Sequence, residues 1–152
     1  MKKTHFIFDL DDTLTNSYEF NQQMFVDTFK PYTADFDEPF IRDLHYRSRG
    51  KAMHLQFEDA LKHLKIQADP QTMVKENEQL HIEKVDDITI FDDVKELLEL
   101  LKSNNKLISL CTNRQSGSLE KILKNNGLEN YFENVISCID AGHEKPDPLL
   151  LK

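Results

Sequence analysis

Three short apolar runs, each broken off abruptly by polar or turn residues, constrain this chain more than any other feature. His5-Phe6-Ile7-Phe8 stops at Asp9-Leu10-Asp11-Asp12-Thr13, and Leu107-Ile108-Ser109-Leu110-Cys111 stops at Thr112-Asn113-Arg114. Val135-Ile136-Ser137-Cys138-Ile139 runs into a loop with Gly142 and Lys145-Pro146. Apolar runs this short, ended by such residues, read as buried strands. Helical patterns separate the last two. Val94, Leu97, Leu98 and Leu101 form an amphipathic stripe closed by Asn104-Asn105, and Leu119, Ile122 and Leu123 form another closed by Asn126-Gly127. Strands alternating with helices imply an α/β fold with a parallel sheet.

Residues 16–88 carry no strand pattern and read as a helical block inserted after the first strand. Asn16, three residues before Glu19, resembles a capping box. Phe20, Met24 and Phe29, with Phe25 beside them, give an apolar stripe that Pro31 ends. Residues 32–50 are less regular and carry Pro39 and Gly50. Met53, Phe57, Ala60, Leu61 and Leu64 make a second stripe, and Asp69-Pro70 looks like a cap with proline at the first helical position. A polar helix then runs to about Lys84. The expected division is a core of residues 1–15 and 89–152 and a helical insertion of residues 16–88.

Composition excludes several functions. The 152 residues carry 19 Lys plus Arg against 27 Asp plus Glu, a net charge of −8. An acidic chain does not suit nucleic acid, whose phosphates need a basic face. No stretch approaches the roughly 18 consecutive apolar residues of a membrane span. The N-terminus, Met1-Lys2-Lys3-Thr4-His5, meets Asp9 after a short apolar run and does not read as a secretory signal. Cys111 and Cys138 lie in apolar runs, which suggests reduced core thiols in a cytoplasmic protein rather than a disulfide framework.

Ligands bind an open parallel sheet beyond the C-terminal ends of its strands. Here those ends bring carboxylates, a hydroxyl, an amide and an ammonium into apolar surroundings. Asp9, Asp11 and Asp12 repel one another, so at the end of a buried strand they need a cation, a proton or backbone donors. A hard divalent ion with oxygen ligands, such as Mg²⁺, would satisfy them. A solvated acidic turn is the plainer alternative. Thr112 has its own plain reading as a helix cap near Ser116, and Lys145 as an ordinary surface lysine.

The three strand ends, taken in order, resemble the signatures of the haloacid dehalogenase-like hydrolases. Phe8-Asp9-Leu10-Asp11-Asp12-Thr13 resembles the first motif, Leu110-Cys111-Thr112-Asn113 the second, and Lys145-Pro146-Asp147-Pro148 the third. The resemblance spans the chain, including a helical cap inserted directly after the first motif. It implies a Rossmann-like parallel sheet core and Mg²⁺-dependent hydrolysis of a small phosphorylated metabolite. Asp9 would be the nucleophile and form an aspartyl-phosphate. Asp11 would protonate the leaving alkoxide and then deprotonate water. Thr112 would hold a phosphoryl oxygen with the Asn113 amide nearby, and Lys145 would neutralise charge on Asp9 and the phosphoryl group. Mg²⁺ would bridge the Asp9 carboxylate, the Asp11 main-chain carbonyl and the phosphate.

An acid at position 11 favours phosphate esters, because the family's dehalogenases expel a halide that needs no proton. The cap position and the Thr-Asn and Lys-Pro pairs are similar to the phosphoglycolate phosphatase and β-phosphoglucomutase branch. In related caps the segment around Arg49 and Gly50 dips toward the active site, where a cation such as Arg47, Arg49 or Lys51 could hold an anionic substrate tail. A solvated basic loop is the alternative. His54, His63 and His81 show no zinc spacing and read as surface or packing residues.

The family's fourth motif, an apolar strand ending in acidic residues that complete the metal site, normally follows the lysine by a helix and a strand. Only Pro146–Lys152 follow Lys145 here. The expectation is a fragment with an incomplete sheet, weakened Mg²⁺ affinity and weak or absent turnover. Its first strand would lie at a sheet edge, open to self-association by strand pairing. A non-catalytic interaction module is therefore the second expectation.

Overall fold

The computed structural model describes residues 4–34, 37–49, 51–145 and 147. The chain divides into two compact units, one of residues 1–18 and 85–152 and one of residues 19–84. In the first unit, β1 (His5–Phe8), β4 (Leu107–Thr112) and β5 (Asn134–Ser137) form a parallel sheet in the order β1-β4-β5. β2 (Thr15–Asn16) and β3 (Thr89–Ile90) form a separate antiparallel pair. The register sets Phe8 beside Leu110 and Thr112 beside Ser137, so all three strands end on the same side. β4 is central, and Ile108 through Thr112 are buried, which is why it reads as a continuous apolar run. β1 is an edge strand, with Phe6 36% and Ile7 48% exposed.

Helix α5 (Val94–Ser103) leads into β4, and α6 (Ser116–Asn125) joins β4 to β5. Each ends where its sequence predicts. Asn105 takes a left-handed φ of 54°, and the Lys106 N–H bonds to the Leu101 carbonyl at 3.0 Å. Gly127 has φ 66°, and the Leu128 N–H bonds to the Leu123 carbonyl at 2.8 Å. The third apolar run stops as a strand at Ser137. Cys138 and Ile139 instead enter a turn in which the Gly142 N–H bonds to the Ile139 carbonyl at 3.0 Å.

The second unit holds most of α1 (Tyr18–Phe29) and all of α2 (Glu38–Ser48), α3 (Met53–Leu64) and α4 (Pro70–Lys84). Phe25, Val26, Phe29, Ile41, Phe57, Ala60, Leu61 and Met73 form its core. The Phe25 and Phe57 rings stack at 4.8 Å. Asp69 caps α4 by accepting the Thr72 N–H at 2.8 Å, with Pro70 at the first helical position.

Two local expectations are corrected. Residues 38–48, within the part of the helical block read as less regular, form α2. Asp37 Oδ1 accepts the Phe40 N–H at 3.1 Å, and Pro39 sits in the first turn, where a missing N–H costs nothing. Asn16 pairs with Thr89 in the β2–β3 ladder rather than capping a helix. That ladder lies where the chain leaves and re-enters the sheet unit, so the division falls at residues 19–84 rather than 16–88. A two-residue strand is too short to show a period in the sequence. Among the described residues no helix is long and apolar enough to cross a membrane.

Candidate active site

The chain leaves β1 through a tight turn. The N–H groups of Thr13, Leu14 and Thr15 all reach the Leu10 carbonyl, and Asp12 takes a φ of 56°, which a short polar side chain tolerates. Leu10 and Leu14 are buried and anchor the turn. Asp9 and Asp11 alternate with these anchors at the end of the sheet.

Asp9 lies half-exposed at the end of β1. Its Oδ1 accepts the Lys145 Nζ at 2.7 Å and the Leu10 N–H at 2.8 Å. Among the described residues, Oδ2 accepts no hydrogen bond. Lys145 Nζ also donates to the Cys111 carbonyl at 3.2 Å, which ties the ammonium to the end of β4. Asn113 holds the Lys145 loop from below. Its Oδ1 accepts the Lys145 N–H at 2.8 Å and its Nδ2 donates to the Lys145 carbonyl at 3.4 Å.

Asp11 is held differently. Ser17 Oγ donates to its Oδ1 at 2.8 Å. The Arg114 guanidinium grips both oxygens, Nη2 to Oδ1 at 2.6 Å and Nε to Oδ2 at 3.1 Å. Thr112, buried at the end of β4, accepts the Arg114 N–H on Oγ1 at 3.1 Å. Its hydroxyl hydrogen is thereby left to donate elsewhere. Ser137 Oγ, at the end of β5, donates to the Arg114 carbonyl at 2.8 Å.

The sheet therefore gathers Asp9, Asp11, Thr112, Asn113 and Lys145 at one end. Arg49 belongs to the helical unit, where its guanidinium lies 4.6 Å from the centre of the Tyr46 ring. Arg47 pairs with Asp43 and Lys51 with Asp59 in that unit. Gly50 and Pro146 lie outside the described residues. Arg114 and Ser17 went unassigned in the sequence. Arg114 reads there only as part of a polar strand stop, and Ser17 stands beside an asparagine with a stronger capping signature. The available signal was a lone cation two residues beyond a strand end whose neighbouring strand ends in carboxylates.

The donor chemistry suits a hard divalent cation. An open carboxylate oxygen on Asp9 fits such an ion, and Mg²⁺ sites commonly use one or two carboxylates with substrate phosphate and water. Among the described residues no three His, Cys, Asp or Glu side chains cluster to enclose a metal. Under the site, Cys111 and Cys138 are buried free thiols with Sγ atoms 3.3 Å apart. Burial, with the Cys111 contact second, pushes the Cys138 thiol up to about 11. At neutral pH it is a protonated core group.

Residues 6–152 match the model of the family described as haloacid dehalogenase-like hydrolase. Pyrophosphatase PpaX of Bacillus cereus is 27% identical over 153 residues, covering 97% of this chain and 65% of PpaX. The chain thus spans just under two thirds of that relative's length. A Lactobacillus plantarum structure described as a phosphoglycolate phosphatase superposes with a TM-score of 0.79 at 22% identity, over 99% of this chain and 69% of the other. A Bacteroides fragilis structure described as a haloacid dehalogenase-like hydrolase gives 0.78 at 24% identity, over 99% and 71%. Both share this α/β fold.

Proposed function

The chain belongs to the haloacid dehalogenase-like hydrolase family, and from that premise we propose that it hydrolyses a small phosphomonoester through an aspartyl-phosphate on Asp9. The observation that carries the reading is the asymmetry of Asp9. One oxygen is bound to the Lys145 ammonium at 2.7 Å while the other is open at the end of β1. That is a carboxylate held in place with a free lone pair, which is what a nucleophile needs.

In the first half-reaction an Asp9 oxygen forms a bond to phosphorus and the ester P–O bond breaks. Asp11 gives its proton to the departing oxygen. In the second half-reaction water attacks the same phosphorus and yields its proton to Asp11, releasing phosphate and restoring Asp9. The Thr112 hydroxyl would donate to a phosphoryl oxygen. Lys145 offsets charge on Asp9 and the phosphoryl group, and Asn113 fixes the loop that carries it. Mg²⁺, held by the Asp9 carboxylate and the Asp11 main-chain carbonyl, would supply charge neutralisation at the phosphoryl oxygens. Arg49, with Gly50 beside it, is the candidate contact for an anionic substrate tail. Two free buried thiols fit a reducing, cytoplasmic setting.

Phosphate release from an aryl phosphate, with and without Mg²⁺ and beside Asp9→Asn, tests this. The expected result is release that needs both the ion and Asp9, with Asp9→Asn slower by at least about 10³-fold. Turnover that survives in Asp9→Asn overturns the reading.

A second reading of another class rests on β1, which lies at the sheet edge with Phe6 and Ile7 exposed. A non-catalytic module could complete its sheet there with a second copy of the chain. A folded chain without turnover that elutes as a dimer in size-exclusion chromatography favours this reading, and an active monomer excludes it.

A further inference from the structure

The grip of Arg114 on Asp11 has no assigned part in the reaction above. The Arg114 side chain is 5% exposed and that of Asp11 27%. A pair this buried adds little net stability, because desolvation offsets most of the attraction. What a two-pronged guanidinium contact supplies is direction, since its planar fork accepts a carboxylate in one orientation. The fork is itself held at both ends of its peptide. The Arg114 N–H bonds to Thr112 Oγ1 and its carbonyl accepts Ser137 Oγ, so the arginine is moored to the ends of β4 and β5. Ser17 adds a third donor to Asp11, from the segment beyond the turn.

We propose that Arg114 is the positioning residue for Asp11, fixing its carboxyl group at the sheet end where the leaving oxygen of an alkyl phosphate must be met. The proposal rests on the phosphatase reading and deepens it to a substrate class. An alkoxide is a poor leaving group and needs a correctly placed proton donor, whereas a nitrophenolate departs without one. Misplacing such a donor by about 1 Å can cost on the order of 10²-fold in rate. In the step that forms the aspartyl-phosphate, Arg114 would therefore matter for alkyl phosphates far more than for activated aryl phosphates, while the water step, which also uses Asp11, is common to both.

The test compares glycerol phosphate with p-nitrophenyl phosphate as substrates of the wild-type chain, Arg114→Gln, Arg114→Lys and Asp11→Asn. Arg114→Gln is expected to lower kcat/KM, which reports formation of the aspartyl-phosphate, by about 10²-fold for the alkyl ester and by less than about threefold for the aryl ester. Asp11→Asn should show the same selectivity in kcat/KM, with kcat lowered on both esters because it also removes the base of the water step. Arg114→Lys keeps the charge but not the fork, and should lose alkyl turnover while keeping the wild-type thermal midpoint. Adding Arg114→Gln to Asp11→Asn should cost nothing further on the alkyl ester. Equal losses of kcat/KM on both substrates, or no loss on either, overturn the positioning role and leave the phosphatase reading standing. A folded wild type that releases no phosphate from either ester overturns the phosphatase reading, and the positioning role falls with it.

Discussion

The two units put their buried polar groups to different uses. In the sheet unit the charged and hydroxyl groups at the strand ends are paired: Lys145 with Asp9, Arg114 and Ser17 with Asp11, Thr112 with the Arg114 amide. In the helical unit the buried polar groups are neutral and bond to one another around an aromatic core, Asn77 Nδ2 to Thr28 Oγ1 at 3.0 Å and Ser48 Oγ to Gln56 Oε1 at 3.2 Å. Of its two buried imidazoles, His81 donates from Nδ1 to the Asn77 carbonyl at 2.8 Å, while His45 lies 4.9 Å from the Phe25 ring and leaves Nδ1 without a partner among the described residues. The difference separates two kinds of design. Paired charged groups at strand ends fix the candidate site's side chains in place, while aromatic stacking holds helices together. Substitutions in the first unit should read out in chemistry, and substitutions in the second in stability.

Phe57→Ala gives the largest effect in that second class. Phe57 is fully buried, stacks on Phe25 at 4.8 Å and packs on Phe29 at 5.8 Å. Deleting such a ring costs about 3–5 kcal/mol. Urea unfolding of the variant should show that loss. A loss below about 1 kcal/mol would mean that the helical unit is not held by its aromatic core.

His45 sharpens the comparison from the polar side. Burial, with the Arg49 charge second, holds its ring down from the ordinary 6.5 to about 4. Between those values the unfolded chain binds a proton that the folded chain refuses. Stability therefore falls as the pH drops through this window, by roughly 3 kcal/mol when the window has been crossed. His45→Phe keeps an aromatic ring beside Phe25 and removes the titration. Unfolding at pH 7 and at pH 4.5 should show a smaller pH dependence in the variant. An unchanged dependence would place the acid sensitivity elsewhere.

The same contrast explains what the sequence shows and what it hides. The strands were legible because a short apolar run that meets Asp9, or Thr112, announces both a buried strand and its end. Asp9 and the Lys145 loop could be singled out because chemistry concentrates at those ends, whereas the nucleophile role of Asp9 came only from the resemblance to the family's motifs. Helix α2 was hidden because Pro39 reads as a breaker until Asp37 is seen capping the turn around it. The two-residue β2–β3 pair has no period to detect. Arg114 was hidden for a different reason. Its partner lies 103 positions earlier, and only the adjacency of β1 and β4 brings them together. No motif in the helical unit names a substrate, since stacking can be read from spacing but a binding surface cannot.

The smallest predicted effect concerns helix ends, where the two units also differ. In the helical unit α2 and α4 are capped locally, by Asp37 and Asp69 immediately before them. In the sheet unit Gln115 gives α6 no side-chain cap, and Asp140 supplies one from the loop after β5. Its Oδ2 accepts the Ser116 N–H at 3.0 Å and also the Ser116 hydroxyl. The Ser116 hydroxyl holds the Asp140 carboxyl below its ordinary 3.8. Its contribution is therefore present above pH 3.8 and is lost as the pH falls through the lowered folded value. Asp140→Ala should cost about 1 kcal/mol at pH 7, and Asp140→Asn less, because an amide oxygen can still accept. Asp69→Ala should cost a similar amount, but only Asp140→Ala should also loosen the loop that carries Lys145. Hydrogen exchange at the Lys145 amide, bonded to Asn113 Oδ1 at 2.8 Å, reports that loosening directly. Faster exchange in Asp140→Ala and not in Asp69→Ala would show that the sheet unit ties its helix cap to its candidate active site. Equal exchange in both would make Asp140 a cap like the others.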